Sequence, residues 1–172
     1  MRTPECFISY AWGVVEHERW VEKNLAMDLQ KAGIKVVLDR WENCRAGKSV
    51  SRFVSRIAEC SIIIPVGTPM YLTKFKNKVS DTGSVVAAEV DLISQRLLGT
   101  ESEKESVLPI LLAGERKASL PPLMLDRVHC DFRDTKAYFT TGFDLILDLY
   151  RISHLDQAVV DLRESLRQTG TE

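Results

Sequence analysis

Two short apolar runs dominate the hydrophobic pattern, Cys6-Phe7-Ile8-Ser9-Tyr10-Ala11 and Cys60-Ser61-Ile62-Ile63-Ile64-Pro65. Each is short and rich in aromatic or β-branched residues, with helix-like sequence beside it. That is the pattern of strands covered on both faces, as in an α/β domain. Ile34–Leu38 and Val107–Leu112 repeat it, and Arg127–Cys130, after the Pro121-Pro122 break, predicts another short strand. Elsewhere the hydrophobic period lengthens to that of a helix. Trp20, Val21, Leu25, Ala26 and Leu29 give one face of a helix over Glu18–Lys31, stopped by Gly33. Val50, Phe53, Val54 and Ile57 do the same for Ser49–Glu59, with Ser49 as its cap. Val86, Val90, Ile93 and Leu97 mark a helix over Ser84–Leu98, and Phe143, Ile146, Leu147 and Tyr150 mark one over Tyr138–Tyr150. Thr68–Thr82 reads as a long loop, a length that often accompanies function.

Helices that connect parallel strands cross over right-handedly, so this order predicts a three-layer α/β sandwich. A flavodoxin-like strand order is the expectation, although sequence alone does not fix the order. Residues 1–152 form the domain, and 153–172 an amphipathic helical extension whose Leu155, Val159, Leu162 and Leu166 recur every three or four positions. That stripe closes the domain or leads to a neighbour absent from this chain. Ligand sites in such folds lie where strands end and helices begin. The residues leaving those ends are Trp12, Asp39–Lys48, Gly67–Glu89 and Ala113–Arg116.

Composition narrows the function classes. A chain of 172 residues, 45% hydrophobic and 27% charged, is an ordinary soluble domain with a real core. Its formal charge of -1 speaks against nucleic-acid binding, and Lys74, Lys76 and Lys78 read as a solvated loop. Four cysteines without a CxxC pair fit a reducing compartment, and the lack of a signal peptide or an 18-residue apolar run makes a cytoplasmic, non-membrane location the expectation. His17, His129 and His154 lack metal-ligand spacing, so no metal is expected. Gly47-Lys48-Ser49 imitates the end of a phosphate-binding loop, but Glu42 stands where its first glycine belongs.

Two carboxylates remain as candidates. Glu89 borders the apolar stripe of the Ser84–Leu98 helix within its first two turns, where the helix N-terminus favours an anion. It suits a site that offsets growing positive charge, and the alternative is an exposed helix glutamate. Asp39 directly follows a strand, as either a ligand residue or a turn former. Arg40, Trp41 and Glu42 follow it, an aromatic flanked by charge, fit for stacking on a base or for contact with another subunit.

Four boxes in order resemble Toll/interleukin-1 receptor (TIR) domains: Phe7-Ile8-Ser9-Tyr10-Ala11; Leu38-Asp39-Arg40 through Ala46-Gly47-Lys48-Ser49; Ser61 through Tyr71; and the helix bearing Glu89. The resemblance spans about Cys6 to Tyr150 and implies a five-stranded parallel sheet. It also implies one of two jobs. Some members are NAD+ glycohydrolases, releasing nicotinamide and either ADP-ribose or a cyclic product; others are non-catalytic adaptors signalling through TIR–TIR contacts. For an enzyme, it assigns Glu89 as the catalytic carboxylate, with NAD+ as substrate rather than cofactor. Tyr10, Ala11 and Trp12 would line the nucleotide crevice, and Asp39, Arg40, Trp41 and Lys48 would lie on a loop near the site and the next subunit. Catalytic members often carry a tryptophan four residues before the glutamate; here Val85 stands there beside Ser84, so ring packing would fall to Trp12 or Trp41. The expected setting is a defence response, with a sensor or oligomerisation domain elsewhere in a longer parent protein.

Overall fold

The computed structural model describes residues 3–38, 55, 57–77, 85–128 and 130–169. Strand β1 (Glu5–Ser9) leads into α1 (Val15–Arg19), a π-helical stretch (Trp20–Leu25) and α2 (Ala26–Lys31), which run on as one helical segment. Then come β2 (Lys35–Leu38), β3 (Ile62–Gly67), α3 (Pro69–Lys76), α4 (Val85–Leu98), α5 (Glu101–Glu105), β4 (Ile110–Leu111) and α6 (Arg116–Ser119). A 3-10 segment (Pro122–Arg127) precedes β5 (Cys130–Asp131), α7 (Tyr138–Leu149) and α8 (Gln157–Thr169). The five strands form one parallel sheet in the order β2-β1-β3-β4-β5, the flavodoxin-like order.

Alternation along β1 explains the layers. Cys6, Ile8 and Tyr10 join Val36, Leu38, Ile62, Ile64 and Val66 on one face, packed by Val21, Leu25, Ala26, Leu29, Leu145 and Leu149. Phe7 and Ala11 face the other way with Val37 and Ile63, against Ile57, Tyr71, Ile93, Leu97, Leu120 and Met124. Both faces are covered by helices, as the near-continuous apolar strands required. The π turn puts Val21 and Ala26, five residues apart, on the same fully buried face.

Several expectations shift in detail. The long loop expected over Thr68–Thr82 is helical over Pro69–Lys76: Thr68 caps it by accepting from the Tyr71 N–H at 3.1 Å, and Pro69 takes the first helical position. The fourth strand shrinks from Val107–Leu112 to Ile110–Leu111, because Pro109 has no N–H to donate; Val107 keeps only an isolated bridge to Ile63. Arg127 ends the 3-10 segment rather than opening β5. In α7 the most buried side chains are Leu145, Leu147 and Leu149, whereas Phe143 and Ile146 are half-buried. On the extension, Val159 is buried but Leu155 and Leu162 are exposed, so the expected apolar stripe does not close the domain as one face. Polar contacts also tie this extension to α7: Arg163 of α8 pairs with Asp144 at 2.6 Å, and His154, before α8, lies 2.8 Å from Asp148. Most of the Ser49–Glu59 helix lies outside the described residues, although 57–59 are helical.

Gly67, at the end of β3, shows how tightly the layers close. A methyl group there would meet Leu120 Cγ at 2.7 Å and the Ile110 carbonyl oxygen at 3.1 Å, and Leu120 is itself fully buried. Gly67→Ala is therefore expected to destabilise the fold by about 1–3 kcal/mol through overpacking, read as a lower urea midpoint at unchanged slope.

Candidate functional site

The strand order reverses between β1 and β3, and the carboxyl ends of those two strands open a crevice of about 320 Å³. Among the described residues, its walls are Tyr10, Ala11 and Trp12 leaving β1, and Met70, Thr73, Lys74 and Asn77 on or just after α3. Ligands bind at such switch points in open α/β sheets, and the volume is within the range of small-molecule sites. Two larger hollows of about 480 Å³ each adjoin Glu59 and Ser61, at the opposite, amino-terminal end of β3. They lie far from the switch point, and the smaller crevice is the better candidate on that ground.

Beneath the crevice lies a charged pair. Helical spacing places Glu89 beside Val90 and Ile93 on the inner face of α4, and its side chain is only 1% exposed. Alternation along β1 points Ser9 at the same layer, and its hydroxyl donates to Glu89 Oε1. Tyr71 from α3 shares a 3.0 Å hydrogen bond with that hydroxyl. Lys74, one helical turn further along α3, places its Nζ 3.2 Å from each Glu89 oxygen and 2.9 Å from the Tyr10 carbonyl oxygen. The carboxylate is thus held from β1 and α3 at once. Burial pushes the Tyr71 phenol well above its ordinary pKa, and the neighbouring Glu89 charge adds to the shift, so Tyr71 is a hydrogen-bond partner and not an ionised group.

Sequence expectations fare unevenly here. Glu89 is not an exposed helix glutamate; it is buried and ion-paired. Lys74 is not part of a solvated loop, since it lies on a helix and is largely covered. Tyr10, Ala11 and Trp12 do line the crevice, but the Tyr10 phenol turns to the other layer and donates to Glu22 at 3.0 Å. Its backbone carbonyl is what meets Lys74. Trp12 is half-exposed at the rim, and Glu89 is not part of the crevice wall, whereas Lys74, which contacts it, is. Val85 opens α4; Ser84, Asp39, Arg40, Trp41 and Lys48 lie outside the described residues. Sequence reasoning missed Ser9, Tyr71 and Lys74. The signal for the last two was Thr68-Pro69, a cap followed by a first-position proline, which makes their segment a helix facing the crevice.

A sequence profile described as TIR domain matches residues 6–147. The chain belongs to the TIR domain family. Solved structures share the fold. A prokaryotic SEFIR domain superposes with a TM-score of 0.63 at 17% identity, covering 86% of this chain and 93% of its own. The TIR domain of the Toll-related receptor TRR-2 from the lower metazoan Hydra magnipapillata gives 0.58 at 18% identity, covering 84% and 97%. No curated protein matches the sequence. No described helix of this TIR domain is long and apolar enough to cross a membrane, and the described residues contain no cluster of three metal-ligating side chains.

Cys6, Cys60 and Cys130 of this TIR domain are buried. Burial lifts the Cys130 thiol to about 12, with the Asp148 and Asp144 charges adding to it, and lifts Cys6 further still. Raised thiols bind protons more tightly folded than unfolded. Their stabilising contribution is full below the ordinary thiol value of 9.0 and is lost as pH climbs toward the folded value. The urea midpoint should therefore fall steadily above pH 9, and iodoacetamide at pH 8 should leave Cys6, Cys60 and Cys130 unmodified until urea unfolds the chain.

Proposed function

We propose that this TIR domain cleaves NAD+ at the nicotinamide–ribose bond, with Glu89 as the carboxylate that steadies the reacting ribose. The observation that carries this reading is a fully buried carboxylate directly under the switch-point crevice, held by Ser9 and Lys74. Retaining such a charge in a core is costly, and an apolar residue would serve packing as well or better.

The chemistry asks little of the protein beyond such a group. Nicotinamide in NAD+ is already cationic and leaves as a neutral base, so no strong general acid is needed. Positive charge then develops on the ribose, and a fixed carboxylate in a water-poor site stabilises it. Attack by water yields ADP-ribose; attack by an adenine nitrogen yields a cyclic product. Trp12, half-exposed at the rim of the crevice, offers a ring for stacking. Self-association through TIR–TIR contacts would regulate the reaction, in a cytoplasmic defence pathway with a sensor or oligomerisation domain as partner.

A second reading has an observation of its own. Lys74 already neutralises Glu89 and covers it from the crevice, as in an adaptor whose buried pair serves only the fold and whose surface binds other TIR domains. Nicotinamide release from NAD+, compared for dispersed and bead-clustered protein, separates the two. Release that rises with clustering supports the hydrolase. None under verified clustering leaves the adaptor.

A further inference from the structure

Among the described residues, Lys74 joins the crevice to the carboxylate. Lys74 belongs to the crevice wall, and the same ammonium contacts both oxygens of Glu89 at 3.2 Å and the Tyr10 carbonyl oxygen at 2.9 Å. Its side chain is 17% exposed against 1% for Glu89, so of this pair the lysine is the one that reaches solvent. A group that approaches the Glu89 oxygens past Lys74 competes with that ammonium for them.

What can take its place follows from electrostatics. A neutral group would break the ion pair and leave Glu89 as an unpaired charge in the core, which is strongly unfavourable. A cation would exchange one pair for another while the flexible lysine stem carries its ammonium outward. We propose that Lys74 is a specificity-determining residue: a charge gate over Glu89 that yields to a positively charged ring and resists neutral ones. The inference rests on the reading of Glu89 given above, and it names the class of group admitted there, a pyridinium such as that of NAD+. The gate also acts after the chemistry. Cleavage of the C–N bond returns its electron pair to nicotinamide, which becomes neutral, and the positive charge passes to the ribosyl carbon. Addition of water at that carbon releases a proton and leaves both products without the charge that displaced Lys74. The ammonium then returns to Glu89, and neutral nicotinamide loses its place beside the carboxylate.

The test uses the full chain and two probes of nearly equal shape, 1-methylnicotinamide (cationic) and nicotinamide (neutral), titrated by NMR. Lys74→Gln keeps a hydrogen-bond donor and removes the competing charge. It is expected to tighten 1-methylnicotinamide about tenfold and to change nicotinamide less than about twofold. Equal tightening of both would mean simple obstruction and overturn the gate, as would no change or a loss for the cation. Because Lys74→Gln leaves a buried carboxylate without its cation and is open to misfolding, the wild type supplies a second reading by acetylation rate at Lys74, followed by mass spectrometry. Lys74 should react slowly alone, and faster with saturating 1-methylnicotinamide but not with nicotinamide; a rate indifferent to the cation overturns the gate. Nicotinamide release from NAD+ is scored separately. Cation selectivity without any release sinks the hydrolase and leaves the gate, whereas release without selectivity does the reverse.

Discussion

Glu89→Ala and Glu89→Gln should each cut nicotinamide release from clustered protein by about 10³-fold, the scale expected when a preorganised charge-stabilising group is lost. The two substitutions act differently on the fold. Glutamine keeps the size of Glu89 and an acceptor for the Ser9 hydroxyl, so its thermal midpoint should stay within a few degrees of wild type. Alanine removes the Lys74 partner, but Lys74 can turn to solvent and Ser9 still has Tyr71 at 3.0 Å. Its cost should be about 1–3 kcal/mol, and the domain should still fold. Parallel loss of release in both variants, with Glu89→Gln fully folded, assigns the effect to the charge. A Glu89→Gln variant as active as wild type would mean that the buried pair serves only the fold.

The largest stability effect is expected at Phe7. It sits in the middle of β1, a strand flanked on both sides, in register with Val37 and Ile63, and is fully buried. Its ring fills the layer beneath Ile57, Ile93, Leu97 and Leu120. Phe7→Ala should cost about 3–5 kcal/mol through lost transfer energy and the cavity left behind. For a chain of this size that is a fall of about 10 °C in thermal midpoint. Phe139, by contrast, is 84% exposed, and Phe139→Ala should leave the midpoint within a degree or two. Equal effects at the two positions would contradict the layer assignment.

How much of this was legible in the sequence depends on what kind of signal each feature leaves. The strands announced themselves because parallel strands buried on both faces must be apolar throughout: Phe7-Ile8 and Ile62-Ile63-Ile64 have few other uses. Helix existence followed from periodicity at Val90, Ile93 and Leu97, all buried. The flavodoxin-like order, an expectation that crossover handedness by itself does not fix, is the order found. Short elements were harder. The strand at Ile110–Leu111 is trimmed by Pro109, and α3 was hidden behind its lysines, although Thr68-Pro69 announced it. At the site, Glu89 was picked out by its place beside an apolar stripe, yet sequence alone left it between exposed and buried. Its burial depends on partners 15 and 80 residues away, Lys74 and Ser9, which only the tertiary packing of α3 and β1 brings to it. A lysine on a polar-looking segment carries no local sign that its ammonium will end on a buried carboxylate. Asp39, Arg40, Trp41, Lys48 and Ser84 lie outside the described residues.

The central claim is that this TIR domain breaks the nicotinamide–ribose bond of NAD+. Its most direct test is a proton NMR time course of NAD+ with bead-clustered wild-type protein, clustering being verified beforehand. A hydrolase will remove the nicotinamide riboside signals of NAD+, matched mole for mole by free nicotinamide and by ADP-ribose or a cyclic product. An unchanged NAD+ spectrum over many hours at high protein concentration would contradict it and leave a TIR domain that works by contact alone.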